Sequence, residues 1–228
     1  MPQSPIELVI FDCDGVLVDS EPISLAVLVE ALERSGLKID EQEASDRFLG
    51  RSLKSMSDIL HDEYGLAIDD HFLENMRHSL YARFRADLRP IESVRATVDA
   101  LTVPCCVASS SQPERIRLSL SVTGLLDRFE PNIFSATMVP HGKPAPDLFL
   151  YASAAMDAPP SACVVIEDSP AGIMAAQAAG MRVFAFTGGS HARNAHHRDT
   201  LARLKPDLLF DEMPDLLQFV QKVQPTGT

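Results

Sequence analysis

Phe11-Asp12-Cys13-Asp14-Gly15-Val16-Leu17-Val18-Asp19-Ser20 places two carboxylates two residues apart, directly after the apolar run Leu8-Val9-Ile10-Phe11. A run that is apolar on both faces is the pattern of a parallel strand covered by helices on each side. Sheets of that kind carry their chemistry at the C-terminal ends of their strands. Successive residues of an extended chain alternate in direction, so Asp12 and Asp14 project to one side, close enough to share one hard cation. Cys13 points the other way, into the sheet. Asp12 is then a candidate nucleophile and Asp14 a candidate acid/base. Gly15 permits a tight exit from the strand, and Val16-Leu17-Val18 can continue as a short packed turn or strand. Taken alone, an Asp-x-Asp pair fits a solvated loop equally well.

Outward from this stretch the patterning turns helical. Ser20 is placed to cap a helix with Glu21 and Pro22 in its first turn, and Leu25, Leu28, Val29 and Leu32 form one apolar face at helical spacing. Gly36 ends it. Further helical patterns cover roughly 41–48, 52–64 and 70–85, with breaks at Gly50 and Gly65. Pro90 disfavours helix at Arg89, so Asp87-Leu88-Arg89-Pro90 reads as the return from the helical stretch. Residues 18–85 are therefore expected to form an all-helical inserted domain, and residues 1–17 with 86–228 the parent domain.

The parent domain alternates strands with helices. Cys105-Cys106-Val107-Ala108 runs into Ser109-Ser110-Ser111 before a helix from Pro113 to about Val122. Ile133-Phe134-Ser135 is a weaker strand, and Pro146 opens a helix to about Met156. Cys163-Val164-Val165-Ile166 runs into Glu167-Asp168 and a helix capped by Ser169-Pro170 and ended by Gly180, after which Val183-Phe184-Ala185-Phe186 is the next strand. The fold class expected is α/β, a doubly wound parallel sheet interrupted early by a helical insertion.

Composition narrows the function classes. A chain of 228 residues, 46% of them apolar, can bury a substantial core, which excludes disorder. The formal charge of −12 argues against a nucleic-acid partner, and an anionic substrate would have to be held by local cations. Cys13, Cys105, Cys106 and Cys163 show no zinc spacing and read as small buried hydrophobes. An apolar segment of roughly 18 residues is missing, as is a basic-plus-apolar leader, so no membrane partner is expected and the reducing cytoplasm is the expected location. Residues 225–228 read as a loose tail.

Three apolar strands end in polar residues: Asp12 and Asp14, then Ser109 and Ser110, then Glu167 and Asp168. In a right-handed parallel sheet those ends lie along one edge, so residues far apart in sequence converge on one crevice. Glu167 and Asp168 could hold a metal opposite Asp12, although acids at a helix N-terminus are also favoured by the dipole. Lys143, in His141-Gly142-Lys143-Pro144-Ala145-Pro146-Asp147, could neutralise both a nucleophile and a transferring phosphoryl group, or be a solvated loop lysine. Ser109, with backbone N–H groups at the following helix start, could bind a phosphate oxygen or serve only as a cap.

Taken together these residues resemble the haloacid dehalogenase superfamily of aspartate-nucleophile phosphohydrolases. The likeness is to its helical-cap subgroup, which includes beta-phosphoglucomutase and sugar-phosphate phosphatases such as 6-phosphogluconate phosphatase. Four motifs stand in order: Asp12 to Glu21, Ser109, Lys143-Pro144, and Glu167-Asp168-Ser169-Pro170-Ala171-Gly172. The resemblance implies that Asp12 attacks phosphorus to form an aspartyl phosphate, and that Asp14 protonates the leaving alcohol and then activates water. It implies that Ser109 and Lys143 hold phosphoryl oxygens. It also implies Mg²⁺ held by Asp12, the backbone carbonyl of Asp14 and Asp168, with Glu167 assisting, and a substrate lined by Gly15, Glu21, Ser109, Ser110 and Lys143. Arg51, in Leu49-Gly50-Arg51-Ser52, could grip the distal part of an anionic substrate or equally be an exposed helix-start arginine.

The implied partner is a small phosphorylated metabolite, a sugar phosphate or a sugar-acid phosphate such as 6-phosphogluconate, acted on by a monomer or, as an alternative, a dimer. The alternative activity is that of a phosphosugar mutase. The mutase's cap histidine and phosphate-binding cap arginine correspond here to Ser24 and Leu53, which favours a phosphatase. A carbon-halide dehalogenase would need neither Mg²⁺ nor an acid/base at Asp14. A receiver-type phosphorylation switch places its acidic pair before its phosphorylated aspartate and lacks the cap. A non-catalytic phospho-metabolite-binding protein is a further alternative. His191, His196 and His197 are expected to line a solvated helix, with a metal or substrate role as the other reading.

Overall fold

The computed structural model describes residues 5–48, 53–193 and 195–222, and the chain divides into two compact units, Met1–Asp19 with Arg89–Thr228, and Ser20–Leu88. In the first unit, β1 (Leu8–Phe11), β2 (Cys105–Ser109), β3 (Ile133–Ser135), β4 (Cys163–Glu167), β5 (Arg182–Phe186) and β6 (Leu208–Phe210) pair in parallel. Their order is β3-β2-β1-β4-β5-β6. The chain winds outward from β1 to β3, then returns to the other side of β1 for β4. That reversal makes the β1/β4 junction the point where a crevice opens at the strand ends.

Register decides what faces that crevice. Phe11 lies opposite Val107 and Ile166, so Asp12 leaves β1 level with the last residue of β4, Glu167, and beside the end of β2. The Asp12 N–H still donates to the Ile166 carbonyl at 3.0 Å, which fixes its backbone to the sheet. Val16 to Val18 form no strand beyond isolated bridges of Val18 to Asp14 and to Pro90.

The second unit is helical, with α1 (Glu21–Arg34), α2 (Glu41–Phe48), α3 (Leu53–Tyr64) and α4 (Asp70–Asp87). Leu28 and Leu32 of α1 pack with Ile39, Ala44, Phe48, Met56 and Leu60 into its core. Asp69 caps α4, its carboxylate accepting from the Phe72 N–H at 2.7 Å. Ser20 does not cap α1 as expected. Its own φ and ψ, −87° and −22°, are already helical, and its hydroxyl makes no cap bond.

In the first unit the sheet is flanked by α5 (Val94–Ala100), α6 (Pro113–Val122), α7 (Leu126–Phe129), α8 (Asp147–Ala155), α9 (Pro170–Ala178), α10 (Ala195–Arg203) and α11 (Asp215–Lys222). Leu8, Ile10, Ala108 and Val165 bury one sheet face against Leu148 and Phe149 of α8 and Ile173 of α9. On the other face the Phe11 ring meets Phe129 of α7 edge to face, with centroids 5.9 Å apart. α9 begins where expected because the Ser169 hydroxyl accepts from the Gly172 N–H at 3.1 Å and Pro170 needs no donor in the first turn.

Candidate active site

Asp12 sits at the β1/β4 junction with its side chain only 11% exposed, and Lys143 reaches it from the loop before α8. The Lys143 Nζ donates to Asp12 Oδ1 at 2.8 Å and to Glu167 Oε1 at 2.5 Å, and lies 4.9 Å from the centre of the Phe149 ring. The lysine side chain is 4% exposed, so the solvated-loop alternative is excluded. Burial works against its charge, but Asp12 and Glu167 outweigh that and hold the ammonium well above its ordinary pKa.

Glu167 is fully buried and spoken for by the protein. Besides Lys143 at Oε1, its Oε2 accepts from the Asp168 N–H at 3.1 Å, the Ser169 N–H at 3.0 Å and the Ser169 hydroxyl at 2.9 Å. Three of those donors crowd Oε2, and Lys143 meets Oε1. Glu167 therefore orients Lys143 and anchors the turn into α9. Close by, one oxygen each of Asp12, Glu167 and Asp168 lie within 4.8 Å of one another, all three residues buried.

That donor set suits a hard divalent cation. It is all oxygen, as Mg²⁺ prefers, and its three carboxylates outnumber the one ammonium that touches them. Burial drives the Asp12 carboxyl well above the usual carboxylate range, with Lys143 opposing the rise and Glu167 and Asp168 adding to it. A cation of higher charge relieves that excess. Glu167 already meets protein donors at both of its oxygens.

Asp14 points elsewhere. Its Oδ2 accepts from the Ser111 hydroxyl at 2.7 Å and its Oδ1 from the Arg115 guanidinium at 2.9 Å. Neither residue was singled out in the sequence. Ser111 lies two residues beyond Ser109, and Arg115 is the third residue of α6, with 22% of its side chain exposed. Ser109 is buried, its hydroxyl accepting from the Ser111 N–H at 3.2 Å, while Ser110 is exposed. Gly15 has φ +76°, and a Cβ there would lie 1.9 Å from Asp168 Oδ2. Its lack of a side chain lets the β1 loop and the Asp168 carboxylate approach. Glu21 belongs to the helical unit, and Arg51 lies outside the described residues.

The expectation for the histidine stretch requires correction. His196 is exposed, but His191 lies in a single 3-10 turn, Ser190–Arg193, with 6% of its side chain exposed and Nε2 2.9 Å from Asp168 Oδ2. His197 is half-buried, its Nε2 2.8 Å from the Asp168 backbone oxygen. Gly188-Gly189 turns the chain back after β5, and Asp19 Oδ1 pins the turn by accepting from the Ser190 N–H and hydroxyl at 3.2 and 2.7 Å. Cys13 is buried as expected, and burial together with the neighbouring Asp14 and Asp12 charges pushes its thiol well up, so it stays protonated.

Among the described residues, no helix is long and apolar enough to cross a membrane. Residues 6–180 match the model of the haloacid dehalogenase-like hydrolase family. The chain is 34% identical to 6-phosphogluconate phosphatase of Escherichia coli K12, over 85% of this chain and 88% of that one. It is 31% identical to a fructose-1-phosphate phosphatase of the same organism, over 75% of this chain and 92% of that one. Among solved structures, a haloacid dehalogenase-like protein of unknown function from Agrobacterium tumefaciens superimposes with a TM-score of 0.85 at 36% identity, covering 95% of this chain and 98% of that one. A family hydrolase from Deinococcus radiodurans R1, solved with bound phosphate and sodium, gives 0.79 at 30% identity, covering 96% and 97%. Since the family match begins before β1, runs through the helical insertion and ends just past α9, the chain belongs to the haloacid dehalogenase-like hydrolases and is a hydrolase.

Proposed function

We propose that this hydrolase is a Mg²⁺-dependent phosphatase of a small phosphorylated metabolite, a sugar phosphate or a sugar-acid phosphate such as 6-phosphogluconate. The observation that carries the reading is the buried pair of Asp12 and Lys143, 2.8 Å apart, beside Asp168 and one turn of chain from Asp14. Asp12, Asp168 and the backbone carbonyl of Asp14 would hold the metal, with Glu167 backing the site. Bound there, Mg²⁺ supplies charge neutralisation between carboxylates and phosphoryl oxygens.

The chain's own residues do the rest. An Asp12 carboxylate oxygen attacks phosphorus as the bond to the leaving oxygen breaks, and the leaving alcohol takes its proton from Asp14. The ionised Asp14 then takes a proton from water, which displaces Asp12 and releases inorganic phosphate. Arg115 and Ser111 hold the Asp14 side chain by its two oxygens, Oδ1 and Oδ2 respectively. Lys143 balances negative charge at Asp12 throughout. The substrate class is supported by the two phosphatase relatives and by the phosphate bound to the Deinococcus relative.

The test is phosphate release from a panel of sugar phosphates and sugar-acid phosphates, ranked by kcat/KM, with Mg²⁺ and with excess chelator. Turnover should vanish in chelator and return with Mg²⁺, and beta-glucose 1-phosphate, where accepted, should yield inorganic phosphate rather than glucose 6-phosphate. Full activity in chelator would overturn the metal-dependent reading, and efficient isomerisation with little free phosphate would overturn the phosphatase one.

A further inference from the structure

Asp168 is gripped at both ends by histidines that have no part in the chemistry above. The Nε2 of His191 lies 2.9 Å from Asp168 Oδ2, and the Nε2 of His197 lies 2.8 Å from the Asp168 main-chain oxygen. An ionised carboxylate and a carbonyl only accept, so both rings carry hydrogen on Nε2. The rings brace one another edge to face, with centroids 5.1 Å apart at 76°. Two glycines make the slot. A Cβ at Gly15 would lie 2.9 Å from His191 Cε1, and one at Gly189 would lie 2.9 Å from both Cε1 and Nδ1 of the same ring.

An aspartate carboxylate turns within a broad, two-fold torsional well. A buried donor fixed on one oxygen therefore sets where the other points. Outer hydrogen bonds of this kind tune metal-binding carboxylates, and their loss typically costs about 10–100-fold in metal affinity or activity. Desolvation adds to the effect here, since the side chains of His191 and Asp168 are 6% and 8% exposed.

We propose that His191 is a positioning residue: its Nε2–H holds the Asp168 carboxylate in the orientation that binds the divalent cation, so that it governs metal affinity and not the phosphoryl-transfer steps. The inference rests on the metal-dependent reading given above. His197 supports it by fixing the backbone of the same aspartate.

The experiment is titration of the intact protein with Mn²⁺, followed by the EPR signal of the free ion, on the wild type, His191→Leu and His191→Gln. Leu fills space without a donor, whereas Gln returns an N–H at similar reach. The Leu variant should bind Mn²⁺ about 10–100-fold more weakly, the Gln variant should recover most of that loss, and kcat at saturating Mg²⁺ should stay near wild type in both. If Leu does not fold, His191→Asn replaces it, carrying the same amide on a shorter stem, and should bind more weakly than Gln. Mn²⁺ affinity in the donor-less or short-stem variant equal to wild type would overturn the proposal. So would equal losses in Gln and its comparison variant while circular dichroism stays native, because ring packing and not the hydrogen bond would then be responsible. A wild-type protein that binds no Mn²⁺ would overturn the metal-dependent reading itself, and this proposal with it.

Discussion

Asp12 and Asp14 differ in their partners before they differ in role. Asp12 is buried against Lys143, while Asp14 is held by Ser111 and Arg115. Asp12→Asn exchanges the proposed anionic nucleophile for a neutral amide, and turnover should fall by about 10⁴-fold or more with no phosphoenzyme formed. Asp14→Asn keeps the nucleophile and removes the proton carrier, which should cost about 10²–10⁴-fold. With an activated ester, whose leaving group needs no proton, Asp14→Asn should still label Asp12, and hydrolysis of that intermediate should become the slow step. Rapid quench with labelled substrate and peptide mapping reads both outcomes. Label on a serine, histidine or cysteine would refute the assignment. The placement of Asp12, Glu167 and Asp168 was legible in the sequence because each ends or follows an uninterrupted apolar strand. Arg115 was not legible, since an arginine in the first turn of an amphipathic helix carries no mark of what it faces. His191 was hidden for a different reason: it was expected on a solvated helix, whereas it lies in the short 3-10 turn Ser190–Arg193 with its ring beside Asp168.

At the scale of elements, β4 and α9 are joined by a turn whose stability depends on Gly172. Exchanging a helical glycine for alanine ordinarily stabilises by about 1 kcal/mol. Here a Cβ at Gly172 would lie 1.8 Å from Glu167 Oε1 and 1.9 Å from its Cδ. Glu167 cannot swing away without breaking buried bonds to Lys143, Ser169 and the backbone, and an unsatisfied buried polar group costs about 1–3 kcal/mol, more when charged. The loss outweighs the gain, so Gly172→Ala should lower Tm, by about 2–4 °C per kcal/mol in a chain of this size. Gly142→Ala is the control, because its Cβ would meet Ala136 Cβ at an ordinary 3.5 Å. A rise in Tm for Gly172→Ala would contradict the argument. The central strands could be read from sequence because consecutive residues, Val9, Ile10 and Phe11 for example, are all fully buried. β6 could not. Three residues at the sheet edge, two of them half-buried, are too short for a periodic pattern. α5, α7 and α11, each no longer than eight residues, escaped in the same way.

At the scale of the whole molecule, a chain of net charge −12 is proposed above to take both a divalent cation and an anionic substrate. The two feel the same field with opposite signs. The overall potential draws Mg²⁺ toward the acids at the β1/β4 junction and repels a phosphate ester until Lys143 and Arg115 are within reach. Monovalent salt separates these effects, because the Debye length falls from about 30 Å at 0.01 M to about 10 Å at 0.1 M and leaves buried contacts such as that of Lys143 with Asp12 little changed. Over that range the Mg²⁺ concentration for half-maximal activity should rise by about two- to fivefold as the attraction is screened. KM for the phosphorylated substrate, measured at saturating Mg²⁺, should stay level or fall. A KM that instead climbs severalfold with salt would mean that a local cationic surface, not the acidic molecule as a whole, governs how substrate arrives.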